Sequence, residues 1–319
     1  MICHAAMTRA FLFPGQGSQI IGMGKALADA FISAREVFQE VDDALSQKLS
    51  KVMWEGPESD LLLTENAQPA IMAASIAVVR VLEKEMGLNI AKHAQLVAGH
   101  SLGEYSALCA ASAFSLADTA RLLKTRGQAM QSAVPLGEGG MTVLIGVEIE
   151  AAEEVAKEAA AGGGTCVVAN DNAPGQVVIS GTLDALARAG EIAKARGIKR
   201  AFSLPVSAPF HCPLMQPAAD RMAEALAAVT IRPLTVSVLA NVTASQANDP
   251  ETVRRLLVEQ VTGRVRWRES IASLKGLGVD TTVEFGNKVL TGMVKRIDND
   301  LATIALETTA DLEVFGKAL

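Results

Sequence analysis

Short apolar segments alternate with longer helical patterns along most of the chain, and this alternation limits the choice of fold. Strand-like runs at residues 10–13, 95–98 and 281–286 are each followed by a helical pattern whose apolar positions recur every three or four residues. Alternating strands and helices favour a mostly parallel sheet with helices on both faces. We therefore predict an α/β fold for the larger part of the chain.

A block in the middle of the chain has a different order of elements. From residue 141 the patterns run strand, helix, strand, strand, helix, strand, which is the ferredoxin-like order. The preceding segment PLGEGG, residues 135–140, is typical of a linker. We predict a ferredoxin-like small domain over 135–206, inserted into a catalytic domain made of 1–134 and 207–319.

Composition narrows the class of protein. Half of the residues are hydrophobic and the net charge is −6, so a large core is expected and nucleic acid is not an expected partner. The N-terminus lacks the features of a signal peptide, and no apolar run approaches the ~20 residues that span a bilayer. We expect a cytoplasmic protein without a membrane partner. Its cysteines, spaced unlike a zinc or redox site, are expected to be reduced: Cys3, Cys109, Cys166 and Cys212.

The most informative motif is Gly99-His100-Ser101-Leu102-Gly103, a G-x-S-x-G pattern between a predicted strand and a predicted helix. This is the setting of a nucleophile elbow, in which a tight turn lifts the serine hydroxyl above the sheet and gives a hydrolase-like large domain. Amides at the start of the next helix face an oxyanion formed there, and the Leu102 N–H is the first of them. The alternative is that this pentapeptide forms an ordinary tight turn between a strand and a helix.

A nucleophilic serine needs a base, and the chain has four histidines. His4 lies near the N-terminus, His93 in a polar loop, and His100 beside the serine but directed away from it. His211 remains, in a loop stiffened by two prolines, and is the predicted base, with a structural histidine as the alternative. Asp171 is the one candidate for an orienting acid; its place in the small domain argues against it and favours a backbone carbonyl.

Two further residues are candidates for the site. Gln16 lies in FPGQGSQ after the first strand; this glycine-rich loop lacks the Lys-Ser/Thr of a phosphate-binding loop, so Gln16 is a candidate oxyanion donor. Arg126 lies on the helix after the elbow helix, where its planar guanidinium suits a carboxylate. The alternative for Arg126 is a solvated helix arginine.

Taken together, these segments resemble the malonyl-CoA:acyl carrier protein transacylases of fatty acid synthesis, and also the acyltransferase domains of polyketide synthases. The elbow alone is not specific, but the ordered set covers nearly the whole chain. The matching segments are FPGQGSQ, ENAQPA, GHSLGEYSAL, the Arg126 helix, NDNAPGQVVISG, the His211 loop and VEFGNKVLTGMVKRI.

The resemblance implies transfer of a malonyl group from malonyl-CoA to the phosphopantetheine thiol of acyl carrier protein, through an ester on Ser101. It implies that His211 is the general base in both half-reactions. Gln16 and the Leu102 amide are then the oxyanion donors, and Arg126 pairs with the malonyl carboxylate. No bound cofactor is implied beyond the coenzyme A thioester, which is a substrate, and we expect a monomer.

The resemblance also implies roles for four other residues. Gln260 falls where the family uses a backbone carbonyl to hold the histidine, and Gln68 and Asn170 occupy positions near the pocket. Phe210 is a bulky residue before the histidine, which in the family accompanies malonyl. Basic residues near the cleft are candidates for the carrier-protein contact: Lys288, Lys295 and Arg296.

Three other functions remain open from the sequence. A discrete acyltransferase of a polyketide pathway would use the same residues. A serine hydrolase or thioesterase could be built on the same elbow. A non-catalytic subunit that binds carrier protein would need no nucleophile at all.

Overall fold

The computed structural model describes residues 8–198, 200–206 and 208–319, so Cys3 and His4 lie outside the described residues. The chain forms two sheets with helices around them. The strands are β1 (Arg9–Phe13), β2 (Leu96–Gly99), β3 (Gly139–Ile145), β4 (Cys166–Ala173), β5 (Gln176–Thr182), β6 (Arg200–Ser203), β7 (Ser237–Ala240), β8 (Ser245–Ala247), β9 (Thr281–Phe285) and β10 (Ala302–Leu306).

The helices alternate with these strands over most of the chain. They are α1 (Lys25–Ala30), α2 (Ile32–Leu45), α3 (Leu49–Glu55), α4 (Glu58–Leu62), α5 (Thr64–Glu85), α6 (Ile90–His93), α7 (Gly103–Ala110), α8 (Leu116–Ser132), α9 (Ile149–Ala161), α10 (Leu183–Ala195), α11 (Gln216–Ala227), α12 (Pro250–Thr262), α13 (Trp267–Ser273), α14 (Leu290–Ile297) and α15 (Thr309–Gly316). None of the described helices combines the length and the apolar character that crossing a membrane requires.

The larger sheet has six strands in the order β10-β9-β1-β2-β7-β8. Its strands run parallel except for β8, which is antiparallel to β7, so the predicted mostly parallel sheet is confirmed. The central strands are fully buried, which explains their continuous apolar sequences. The two edge strands β8 and β10 were not predicted. β8 has three residues and lacks an apolar run, whereas β10 has a short apolar run, ATIAL, that is only partly buried and was not recognised as a strand.

The smaller sheet has the antiparallel order β4-β5-β3-β6, with α9 and α10 packed against it. Its elements follow the predicted order, and its core includes Leu144, Val155 and Ile179. The predicted linker 135–140 is wrong in part, because β3 already begins at Gly139 and pairs with Thr182. The domain boundaries themselves stay a prediction.

The elbow lies where the end of β1 meets the turn between β2 and α7. A Cβ atom on Gly103 would lie 2.2 Å from the Phe13 carbonyl oxygen, and one on Gly99 would lie 1.9 Å from the Gly103 carbonyl oxygen. Both distances are far inside van der Waals contact, so the two backbones approach this closely only with glycine. The two glycines of the motif therefore serve packing as well as turn formation.

We expect Gly103→Ala to lower the free energy of unfolding by about 1–3 kcal/mol or more, because the added methyl group must displace the β1 backbone. Urea denaturation measures this change. The matched control is Gly190→Ala in α10, where an added Cβ meets no atom within 4 Å. That control should raise stability by about 0.5–1 kcal/mol. Similar effects of the two substitutions would contradict the close approach.

Candidate active site

Ser101 lies in the turn between β2 and α7 with a backbone φ of 54°, a left-handed conformation that non-glycine residues rarely adopt. Its N–H donates to Asn241 Oδ1 at 2.7 Å, and Asn241 Nδ2 donates to the Gly99 carbonyl at 2.7 Å. One amide side chain thus holds both sides of the strained turn. Asn241 directly follows β7, the strand that neighbours β2, and it was not predicted.

His211 is the histidine that contacts the serine. Its Nε2 lies 2.8 Å from Ser101 Oγ, while its Nδ1 lies 2.9 Å from the Gln260 carbonyl oxygen and 3.2 Å from that of Gly263. Carbonyl oxygens only accept hydrogen bonds, so Nδ1 carries the proton and Nε2 is left to accept from the serine hydroxyl. The structure thus places the Gln260 carbonyl where an orienting acid would otherwise stand.

The surroundings of His211 keep its imidazole neutral. Burial lowers its pKa to about 3, and the positive charge of Arg126 acts in the same direction. The hydrogen bonds to the Gln260 and Gly263 carbonyls oppose this shift. A neutral imidazole is the form that accepts a proton from serine.

His100 and Asp171, which the sequence argued against as the base and the orienting acid, contact other residues. His100 Nε2 lies 2.8 Å from Asn172 Oδ1, and its ring packs edge-on against Trp267, so it points away from the serine hydroxyl. Asp171 Oδ2 accepts from Arg268 Nε at 2.9 Å rather than from His211. Asn172 was not predicted.

Arg126 is buried beside the nucleophile, with 1% of its surface exposed, so a solvated helix arginine is excluded. Its Nη1 donates to Gln68 Oε1 at 2.7 Å, and its Nη2 donates to Gln260 Oε1 at 2.9 Å and to Ser101 Oγ at 3.2 Å. In the part of the chain that the structure describes, its Nε has no hydrogen-bond partner. Among the described residues, no carboxylate lies within ion-pair distance of this guanidinium. A buried cation held only by neutral groups favours the binding of an anion.

A cavity of about 230 Å³ opens in front of Ser101. Gln68 lies away from its wall, bonded to Arg126 and to the Thr64 hydroxyl. The predicted residues Gln16, Asn170 and Phe210 line it, together with His100, Ser101, Met141, Asn172, Val178, Leu204, Pro205, Val206, His211, Leu290 and Met293.

Two groups near the serine can donate hydrogen bonds. The Thr64 hydroxyl donates to Gln16 Oε1 at 3.1 Å, which leaves the Nε2 end of the Gln16 amide free to donate. Leu102 is the N-cap residue of α7, where a backbone N–H has no acceptor within the helix. Their role as an oxyanion hole stays a prediction.

Glu104 is a buried carboxylate in the first turn of α7 that was not predicted. Its Oε2 accepts from Gln260 Nε2 at 2.7 Å and from the Asn241 backbone N–H at 3.1 Å. A signal was available in the sequence, because Glu104 is the one charged residue of the α7 segment GEYSALCA and stands three residues after Ser101. Within the described ranges, no group of three or more His, Cys, Asp or Glu side chains is arranged to hold a metal ion.

Comparisons with known proteins agree with this geometry. Residues 10–296 match the family model described as acyl transferase domain. The chain is 44% identical to the malonyl CoA-acyl carrier protein transacylase of Bacillus subtilis over 311 residues, which are 97% of this chain and 96% of that relative.

Solved structures give the same result. The acyl-carrier-protein-S-malonyltransferase of Bartonella henselae is 54% identical and superimposes with a TM-score of 0.95, covering 98% of this chain and 99% of that one. A second structure holds a type II PKS acyl-carrier protein in complex with its malonyl-transacylase. It is 41% identical, with a TM-score of 0.93, and covers 98% of this chain and 100% of that one.

We expect the His211 imidazole to stay neutral, with the proton on Nδ1, from about pH 8 down to about pH 5, because burial lowers its pKa to about 3. A base with a lowered pKa is lost only as the pH falls through that lower value. Nitrogen NMR of histidine-labelled protein reports both the tautomer and the charge, and His211→Asn assigns the signal. A His211 signal that titrates near the usual value of 6.5 would contradict this assignment.

Proposed function

Because the chain belongs to the acyl transferase family, we propose that it transfers a malonyl group from malonyl-CoA to the phosphopantetheine thiol of acyl carrier protein. One observation supports the details of this reaction. Ser101 Oγ lies between a neutral base, His211 Nε2 at 2.8 Å, and a buried cation, Arg126 Nη2 at 3.2 Å. The base serves any acyl transfer, whereas the cation selects acyl groups that bring a carboxylate.

In the first half-reaction, Ser101 Oγ attacks the thioester carbonyl while His211 Nε2 takes its proton. The carbonyl oxygen becomes an oxyanion, which accepts hydrogen bonds from the Gln16 amide and the Leu102 N–H. The carbon–sulfur bond then breaks, and His211 returns the proton to the departing coenzyme A thiolate. A malonyl ester remains on Ser101.

In the second half-reaction, the phosphopantetheine thiol gives its proton to His211 and attacks the ester carbonyl. The same donors bind the oxyanion, and Ser101 leaves with the proton returned by His211. The acyl group ends on the carrier protein and the enzyme is regenerated. Because the Gln260 carbonyl holds Nδ1 throughout, the imidazole keeps one orientation for both proton transfers.

The malonyl carboxylate binds the Arg126 guanidinium, whose amide partners Gln68 and Gln260 fix its plane. An acetyl group leaves that buried charge without a counter-ion, which disfavours its transfer. The carboxylate also offsets the positive charge that lowers the pKa of His211, so substrate binding strengthens the base.

The wall of the cavity limits the shape of the acyl group. Phe210 precedes His211 and is buried against the cavity, where its ring occupies space that a branched acyl chain would need. Asn170 lines the same cavity. These two residues favour the unbranched malonyl group.

The carrier protein approaches from the side on which α14 borders the cavity. Leu290 and Met293 of α14 line the cavity, and the same segment carries the exposed basic residues Lys288, Lys295 and Arg296. Exposed cations beside an active-site mouth steer an acidic partner toward it. Fatty acid biosynthesis in the cytoplasm is the proposed setting. A serine hydrolase is not favoured, because the relatives are named as transacylases.

We expect the purified protein to gain the mass of one malonyl group on Ser101 when mixed with malonyl-CoA. Adding holo acyl carrier protein should remove that mass and place it on the carrier. Intact-protein mass spectrometry measures both steps, and Ser101→Ala should gain no mass. Rapid release of free malonate without transfer would show a hydrolase instead.

Arg126→Ala should lower the rate of malonyl transfer at least about 100-fold more than the rate of acetyl transfer, since only malonyl uses the buried cation. The measurement compares kcat/KM for malonyl-CoA and acetyl-CoA. The matched control is Arg121→Ala on the same helix, whose side chain is 57% exposed and pairs with Asp118. Equal losses of kcat/KM for malonyl-CoA and acetyl-CoA in Arg126→Ala would show that Arg126 does not select the substrate.

A further inference from the structure

Glu104 is a buried carboxyl group that packing alone does not explain. It has 2% of its surface exposed, and no ion pair to it occurs within the described residues. Burial raises its pKa to about 7, while hydrogen bonds from Gln260 and Asn241 act against that rise and favour the ionised form. A carboxylate placed this way is costly for folding. Its two hydrogen-bond partners, Gln260 and Asn241, both contact Ser101.

The first contact determines the orientation of the Gln260 side chain. An amide has a donor end and an acceptor end, whereas a carboxylate only accepts. Gln260 Nε2 donates to Glu104 Oε2 at 2.7 Å and to the Ser101 carbonyl at 3.0 Å. The Oε1 end is therefore directed toward Arg126 Nη2, at 2.9 Å, and holds the guanidinium beside the serine hydroxyl. The backbone carbonyl of the same glutamine holds His211.

The second contact reaches the nucleophile turn. The Asn241 backbone N–H donates to Glu104 Oε2 at 3.1 Å, and the Asn241 side chain bonds both the Ser101 amide and the Gly99 carbonyl. Segments far apart in the sequence, α7, α12 and the end of β7, are therefore joined at a single carboxylate oxygen.

We propose that Glu104 is a positioning residue for acyl transfer, acting through Gln260 on Arg126 and through Asn241 on Ser101. The Gln260 side chain stands between Glu104 and Arg126. Because this amide separates the two groups, Glu104 does not pair with the guanidinium directly, and the cation stays available for the substrate carboxylate. A direct ion pair would compete with the malonyl group. This inference rests on the proposed function.

The test compares rate constants for acylation of Ser101 by malonyl-CoA and by acetyl-CoA. Glu104→Ala should lower the malonyl-to-acetyl ratio at least about tenfold, since the Gln260 amide is no longer held against Arg126. Glu104→Gln keeps an acceptor oxygen at the same reach and should restore the ratio to within about threefold of the unchanged protein. Glu104→Asp retains the carboxyl group on a shorter side chain. It is the variant to compare with the unchanged protein if Glu104→Ala does not fold.

The matched control is Asp42→Ala in α2, which removes another buried carboxylate, one that bonds Ser50 at 2.7 and 2.8 Å. It should lower thermal stability and leave the ratio unchanged. A Gln260→Ala background supplies a further check, because removing Glu104 there should have no additional effect on the ratio.

An unchanged ratio in Glu104→Ala and Glu104→Asp would overturn the proposal, and so would a Glu104→Gln variant as impaired as Glu104→Ala. Failure of the proposed function has a different signature. In that case the unchanged protein itself forms no malonyl ester on Ser101.

Discussion

The site depends on the hydrogen bond between His211 Nδ1 and the backbone carbonyl of Gln260, at 2.9 Å. It assigns the proton to Nδ1, turns Nε2 toward Ser101 and makes a buried acid beside the imidazole unnecessary. A carbonyl is neutral, so it orients the histidine without holding it in the charged form. The imidazole therefore stays an uncharged base in a site that already contains the charge of Arg126.

Backbone strain accompanies this arrangement. Ser101 and His211 both have positive φ values, 54° and 58°, in a region that is costly for residues with a Cβ atom. The Asn241 side chain holds the first of these residues, and the Gln260 and Gly263 carbonyls hold the second through its ring. The two reacting atoms meet because packed elements hold both strained residues in place.

The electrostatics of the site support the proposed selectivity for malonyl. The Arg126 cation is buried among amides and a hydroxyl, and the Glu104 carboxylate is kept one side chain away from it. Such a site is better satisfied when a substrate supplies a carboxylate than when it is empty. The same charge lowers the pKa of His211. Under the proposed function, the substrate carboxylate offsets that charge, which would link substrate binding to base strength.

The alternation of strands and helices, the ferredoxin-like order of the small block and the turn at Ser101 were predictable from the sequence, because they depend on local periodicity and on glycines near one serine. Elimination among the histidines indicated His211. The edge strand β8 was not predictable, since its three residues, SQA, contain no apolar run; the apolar run of β10 was too short to be recognised as a strand. The contacts of Asn241 became visible in the tertiary structure alone, because a hydrogen bond across 140 residues, such as that from Ser101 to Asn241, depends on strand order and has no local sequence signal. Glu104 did have a local signal, but its partners Gln260 and Asn241 lie more than 100 residues away and are brought to it by the fold.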